Sequence, residues 1–199
     1  MTAERSQKAN EIISYTRQLL TSGGYRSFSF ADISEKVNIR KASIYHHFTS
    51  KADLVRTVVA QYRAEAQAGM QILNHKINDP AAELQAYADY WSTCIRDGSS
   101  PFCICVMLAA ELPTLPPEVA AEVSGHFTDL SDWLAALLRR GENKNVFQLR
   151  DIPSAEANLL MATIHGAMLA ARAFDDVEIF QQIVQPSINN IILTTIHHQ

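Results

Sequence analysis

The stretch from Ser27 to Leu54, SFSFADISEKVNIRKASIYHHFTSKADL, limits what this chain can fold into more than any other. It reads as two short helices joined by a tight turn, then the start of a third. The first runs from about Phe30 to Val37, with the Ser29 side chain placed to cap free backbone N–H groups. Ala31, Ile33, Ser34 and Val37 give it a small apolar seam. Asn38 follows where a left-handed residue ends a helix, a conformation Asn tolerates best after Gly. Ile39 then plugs the angle between the two helices. The second helix, Lys41 to about Phe48, turns Ile44 and Phe48 inward at i, i+4. Lys41, Ala42, Ser43, Tyr45, His46 and His47 remain outward or at the rim. This is the anatomy of a helix-turn-helix, whose second helix enters a DNA major groove.

The wording of the stretch resembles the tetracycline-repressor (TetR) family of transcriptional regulators. The carriers are the helix ADISEKV, the Ile39 plug, the tract SIYHHF from Ser43 to Phe48, and the Ser50-Lys51-x-x-Leu54 entry into the next helix. The specific likeness ends near Val55; beyond it the likeness is one of helical layout. It implies that Lys41, Ala42 and Ser43 face base edges. Lys donates to guanine O6 and N7, Ser pairs with several bases, and the Ala methyl can touch a thymine methyl. Tyr45, His46 and His47 fall where the family grips phosphate and sugar. Lys51 adds charge to the backbone amides that open the next helix, a good phosphate site. Arg40 replaces the usual small polar cap and either contacts DNA or reaches solvent, while Asn38 replaces the usual glycine.

Charge supports a DNA-facing head. The chain carries a net −4, yet residues 1–56 hold nine Lys/Arg against five Asp/Glu, and the remainder eight against sixteen. Phosphate contacts supply much of the affinity for DNA, so a basic head on an acidic body suits the task.

The remaining periodicity is helical throughout. The first helix spans about Ala3 to Ser22, with Ala9, Ile12, Ile13, Thr16, Leu19 and Leu20 as its stripe and Gly23-Gly24 as its end. Its Arg5 and Lys8 either approach the DNA backbone or are simply solvated. A fourth helix, capped by Ser50 with Asp53 three residues on, carries Leu54, Val55, Val58, Val59, Tyr62, Met70 and Leu73 to about Ile77. At about 1.5 Å per residue it reaches ~40 Å, and the resemblance implies that it joins DNA head to ligand-binding body. Asn78-Asp79-Pro80 breaks it. A fifth helix, about Ala81 to Asp97, faces inward through Leu84, Tyr87, Ala88, Trp91, Cys94 and Ile95. Residues 98–101 are a turn. The sixth, FCICVMLAAEL, is apolar all round and should be buried. A seventh starts near Pro117, carries Val119, Val123, Phe127, Leu130, Leu134, Leu137 and Leu138, and ends at Arg139-Arg140-Gly141. After a polar loop over 142–153, an eighth runs from the N-cap Ser154 to Phe174. It is rich in small residues: Ala157, Ala162, Gly166, Ala167, Ala170 and Ala171. A ninth runs from Val177 to His197, interrupted at Pro186.

The expected fold is therefore all-α, with about nine helices: a helix-turn-helix domain over 1–56 and a ligand-binding and dimerisation domain over 57–199. Helices 154–174 and 177–197 suit a four-helix homodimer interface, as in the family; the alternative is a monomer's internal core. Two heads would match a palindromic operator. No apolar run approaches about 18 residues, and TAERSQK is no secretory signal. Three cysteines cannot all pair, which makes a reducing cytoplasm the default.

Candidates to line a body pocket are Met70, Tyr87, Tyr90, Trp91, Cys94, Met107, Phe127, Trp133, Met161 and His165, each equally at home in plain core. Together they suit a small, largely apolar effector with one or two polar groups. Cys103, eight residues before Glu111, resembles the cysteine that starts helix six in a TetR subgroup including electrophile-sensing repressors. A cysteine near a helix N-terminus gains thiolate character. Cys105, two residues on in a helix, would point elsewhere, so a direct disulfide would need unfolding; Cys103 with Cys94 is freer. The alternative is three buried small hydrophobes. His46-His47 and His197-His198 are adjacent rather than at metal-binding i, i+4 spacing, and no phosphate loop, dinucleotide fingerprint or nucleophile elbow occurs. No metal, cofactor or enzymatic activity is therefore expected. The leading reading is a homodimeric, ligand-responsive regulator, usually a repressor in this family. The alternatives are a helical-bundle small-molecule-binding protein or enzyme, and an architectural DNA protein.

Overall fold

The computed structural model describes residues 7–98 and 102–193. Among the described residues it contains nine α-helices: α1 Gln7–Gly23, α2 Phe30–Lys36, α3 Lys41–Tyr45, α4 Lys51–Lys76, α5 Pro80–Asp97, α6 Ile104–Ala109, α7 Pro117–Asn143, α8 Pro153–Phe174 and α9 Glu178–Asn189. Two 3-10 turns, Tyr25–Ser27 and Leu112–Thr114, join α1 to α2 and α6 to α7. The chain divides into two compact units. One comprises residues 1–65 with 102–127, the other 66–101 with 128–199.

In the first unit, α1 buries Ala9, Ile12, Ile13, Thr16 and Leu20, while Leu19 is only half-buried. Thr16 is tolerated inside because its hydroxyl donates to the Ile12 carbonyl at 2.7 Å. The first four residues of the expected first helix, 3–6, lie outside the described residues, as does Arg5. α1 packs on α2 and α6. The sixth helix is shorter than its apolar run suggests, only six residues. Phe102 lies in a bend and Cys103 is an extended cap, and Pro113, which can neither donate a backbone hydrogen bond nor fit against the preceding turn, excludes continuation. Ile104, Cys105 and Leu108 are buried, whereas Val106, Met107 and Ala109 are half-buried.

In the second unit, Asn78-Asp79-Pro80 is a starting device as well as a break. The Asp79 carboxylate accepts the Ala82 N–H at 3.1 Å, and Pro80 occupies the first helical position, where its missing N–H costs nothing. α7 runs through Gly141 to Asn143 instead of ending there. Gly141 is a packing glycine: a Cβ would collide with the buried Phe147 ring. The helix exits instead through Asn145, at φ 54°. The loop over 144–152 is consequently not simply polar. Phe147 is buried in it, Gln148 N–H donates to the Ile191 carbonyl at 2.8 Å, and Leu193 N–H donates to Val146 at 2.9 Å. α8 starts one residue ahead of Ser154, with Ile152 at the cap and Pro153 first in the helix, so Ser154 is not its cap. The described part of the ninth helix stops at Asn189, turned aside by the bridge between Phe147 and Ile192. Pro186 lies inside it, and residues 194–197 of the expected helix fall outside the described residues. α8 packs closely on α9, which also contacts α5. Among the described residues, no helix is long and apolar enough to cross a membrane.

Candidate nucleic-acid interface and sensing residues

The helix-turn-helix is built from local chemistry. Ser29 Oγ accepts the Ala31 N–H at 3.2 Å, and Asp32 Oδ2 returns the favour to the Ser29 N–H at 2.6 Å, closing a capping box. The Ser29 hydroxyl, then its amide, hold the Asp32 carboxyl below its ordinary value. Asn38 adopts φ 53°, ending α2 as expected, and the Ile39 N–H reaches back to the Ser34 carbonyl at 3.1 Å. The seam differs from expectation. Phe30, Ile33 and Val37 are buried, Ile39 and Ser34 are half-buried, and Ala31 faces solvent, because the turn places Phe30 beneath α3.

α3 is anchored by fully buried Ile44 and by Phe48. Its α-helical part ends at Tyr45; His46 and His47 form a turn whose N–H groups fold back, with His47 and Phe48 both donating to the Ile44 carbonyl at 2.9 Å. Arg40, Lys41, Ala42, Tyr45, His46 and His47 all project into solvent, and Ser43 is half-buried. The Tyr45 ring rests edge-on against Phe30, centroid to centroid 5.1 Å.

Lys51 is engaged within the unit. Its Nζ donates to the Phe28 carbonyl and lies 4.1 Å from the Phe28 ring and 4.6 Å from the Tyr25 ring. Burial pulls its ammonium below the ordinary lysine value, against Glu111 and Asp32, which favour the charge. At the same helix start, Asp53 N–H donates to Ser50 Oγ at 3.0 Å and the Asp53 carboxylate accepts the Thr49 N–H at 3.1 Å. Lys8 is tied to Glu11 at 2.6 Å and to the Val37 carbonyl at 3.3 Å. A residue the sequence did not single out, Glu111, closes the unit just beyond α6. Its Oε1 accepts the Tyr25 N–H at 2.7 Å, and a Cβ on Gly24 would collide with it.

The sensing candidates fall into both units. In the first, Cys103 is fully buried, and Met107 and Phe127 are half-buried. In the second, Met70, Tyr87, Trp91, Cys94 and His165 are buried, while Trp133 and Met161 are half-buried. Tyr87 and Trp133 meet edge to face at 5.1 Å. The buried Trp91 indole N–H has no acceptor among the described residues. Tyr90 is mostly exposed and meets Trp91 edge to face at 5.3 Å, so it sits at the surface and not among the buried candidates. Glu83, another residue not anticipated, is buried and paired with Arg140, which also donates to Asn74. Burial raises the Glu83 carboxyl above its ordinary value, and Arg140 only partly opposes this.

All three cysteines are buried thiols. The expectation that Cys103 and Cys105 point apart fails because Cys103 is not inside the helix: at φ −70°, ψ 121° it is an extended cap before Ile104, off the helical path, and the two sulfurs lie within 4.8 Å of each other. His126 of α7 completes the group, its Nε2 standing 3.7 Å from Cys103 Sγ, and the three donor atoms lie within 4.8 Å of one another. Burial, then the neighbouring Cys103, pushes the Cys105 thiol well above its ordinary value.

On the second unit's surface, α8 and α9 present an apolar stripe. Leu159, Leu169 and Phe174 are 62%, 50% and 72% exposed, with Ala162 and Gly166 exposed between them and Ile183 exposed on α9.

Known proteins agree with this architecture. Residues 12–58 match the family described as bacterial regulatory proteins, tetR family, and residues 80–186 match the tetracyclin repressor-like C-terminal domain. The chain is 21% identical over 179 residues to the HTH-type transcriptional regulator UidR of Escherichia coli, covering 88% of this chain and 87% of UidR. A TetR-family transcriptional regulator from Agrobacterium tumefaciens superposes with a TM-score of 0.92 at 49% identity, covering 94% of this chain and 98% of that one. Reduced NemR of E. coli shares the fold at a TM-score of 0.83 and 18% identity, covering 96% and 100%. The chain belongs to the TetR family of transcriptional regulators, with a DNA-binding helix-turn-helix and a C-terminal ligand-binding domain.

Proposed function

We propose that the chain acts as a cytoplasmic homodimeric repressor, binding a palindromic operator and releasing it when a small effector occupies the body. Residues 1–56 form the reading head, and residues 57–199 sense and dimerise. Lys41, Ala42 and Ser43 read bases; Arg40, Tyr45, His46 and His47 grip the backbone, and Lys51 adds charge there. The observation that carries the reading is the exposed apolar stripe of Leu159, Leu169 and Phe174 on α8. A second copy of the stripe would cover it and pair two heads for half-sites about one DNA turn (~34 Å) apart. The effector is small and largely apolar, and the buried Trp91 N–H offers it a polar anchor. An electrophile adding to Cys103 is the narrower form of the same idea.

A gel shift with DNA upstream of the coding region, run with sedimentation of the free protein, tests the reading. A dimer that shifts this DNA is expected, and Leu159→Glu with Leu169→Glu should yield monomers that shift it poorly. A wild-type monomer, or no preference for that DNA over unrelated sequence, would overturn it.

A further inference from the structure

Cys103, Cys105 and His126 form a donor set that the DNA head does not use, and of which only Cys103 enters the effector reading. We propose that they bind a thiophilic d10 metal ion, Zn2+ or Cu+, inside the unit that carries the helix-turn-helix. Two sulfurs and one imidazole nitrogen are the ligands such ions select. Metal–sulfur bonds of about 2.3 Å and metal–nitrogen bonds of about 2.0–2.1 Å put ligand atoms about 3.6 Å apart around a tetrahedral ion. The Cys103 Sγ to His126 Nε2 distance is 3.7 Å. The third donor lies within 4.8 Å of both, so small rotations of side chains complete the site.

The surroundings fit a charged occupant. All three residues are buried, and the His126 ring is held against Tyr62 at 5.3 Å. Arg63 crosses Gly125, next to His126, so closely that a Cβ there would collide with its guanidinium. On binding, each thiol gives its proton to buffer as its sulfur–metal bond forms. Two thiolates then neutralise Zn2+, which takes a fourth ligand admitted by local opening of the buried site, or leave one negative charge with Cu+, near an Arg63 that also pairs with Glu122 at 3.3 Å. The ion would tie α6, at its cap and first turn, to α7. Just past the other end of α6, Glu111 holds the Tyr25 amide beside the reading head. That regulatory consequence rests on the repressor reading; metal binding itself does not.

The test uses the full chain, reduced and stripped with a chelator. Zn2+ is titrated against a chromophoric chelator, Cu+ against a copper(I) chelator, and Co2+ serves as the spectroscopic probe. One ion per chain, with sulfur-to-cobalt charge-transfer absorption, is expected. Cys105→Ser and His126→Gln should each weaken binding by more than the roughly 10–100-fold that losing an outer hydrogen bond to a ligand costs. No binding, or binding unchanged in both variants, overturns the proposal. Where the variants fail to fold, the rate of alkylation of the wild-type chain in urea below its unfolding midpoint, where buried thiols open transiently to the reagent, decides: saturating metal should slow labelling of Cys103 and Cys105, and an unchanged rate refutes the site. Operator binding with and without metal is a separate measurement, so a bound ion without a DNA effect removes only the regulatory consequence.

Discussion

Replacing Glu111 with alanine asks whether the segment after α6 holds the reading head in position. Glu111 makes two contacts there, and they are unequal. The Arg26 guanidinium stands 4.0 Å away and is 71% exposed, and pairs of that kind contribute about 0–1 kcal/mol. The Tyr25 N–H donates at 2.7 Å to a carboxylate only 22% exposed, a charge-assisted bond in the class that contributes about 1.5–3 kcal/mol. Glu111→Ala should therefore destabilise the protein by about 1.5–3 kcal/mol, nearly all of it from the amide bond. Glu111→Gln keeps an oxygen in place and loses only the charge assistance, roughly half as much.

Urea unfolding at one fixed protein concentration measures both, because the stability of any assembly the chain forms depends on concentration. The midpoints should fall in the order wild type, Gln, Ala, and operator affinity should follow the same order. Gly24→Ala supplies a coupled check. In the wild type it combines a positive φ of 78° with a collision against Glu111. In the Glu111→Ala background only the backbone cost remains, about 1–3 kcal/mol for a side chain held at φ 78°, ψ −167°, a region kept almost entirely by glycine. A Gln variant no better than Ala, or additive Gly24 and Glu111 effects, would refute the assignment.

Lys51→Ala should weaken binding to every DNA sequence and flatten the salt slope by about one unit, while also lowering stability through the lost Phe28 contacts. Lys41→Ala should mainly erode discrimination between operators; an unchanged slope for the first or unchanged base preference for the second removes that role. Gly141→Ala should destabilise the wild type by about 1–3 kcal/mol, since overlap with Phe147 outweighs a helix-propensity gain of about 1 kcal/mol. In a Phe147→Ala background the same change should stabilise, and a shared sign in both backgrounds would show that the ring is not the obstacle. Burial alone would raise the Asp53 carboxyl, but the Thr49 amide, Arg56 and the Thr49 hydroxyl together hold it low, as Ser29 holds Asp32. A depressed carboxylate contributes stability above its unfolded value of 3.8 and loses it as pH falls through the folded one, so Asp32→Asn and Asp53→Asn should flatten the acid limb of a denaturation profile. Glu83 has the opposite sign: its raised value favours the fold below 4.5 and loses that contribution as pH rises, so Glu83→Gln should remove a falling limb.

What the sequence makes legible is local. Ser29, Asp32, Asn38 and Ser50 act within three residues of the groups they satisfy, and Ile44 with Phe48 lie one helical turn apart, so spacing alone reveals them. Glu111, His126 and Glu83 meet partners 86, 23 and 57 residues away, and nothing in a linear pattern marks such pairs. Boundary errors had the same source. Ser154 and Pro153 are both good first residues of a helix, and only packing shows that the proline took the inner position. Cys103 and Cys105 sit in an apolar run that reads as uninterrupted helix; the start falls one residue after Cys103, and that shift brings the two sulfurs together.

Glycine shows why residue type needs geometry before it carries meaning. Gly141 and Gly125 both lie inside α7, and in each case another side chain of the same chain occupies the space a methyl would need. Gly166 lies inside α8 and meets nothing within 4 Å. A helix-interior glycine costs about 1 kcal/mol relative to alanine, and neither a turn nor an internal neighbour offsets that at Gly166. Its neighbours along the helix are Ala162, Leu159 and Leu169, all exposed, so the open space borders apolar surface rather than charged surface. Close approach of a second backbone is the arrangement in which absent side-chain volume becomes useful. The small-residue stripe thus divides: Ala157, Ala167 and Ala171 are buried within the unit, and Ala162 and Gly166 are left for the partner that the repressor reading requires.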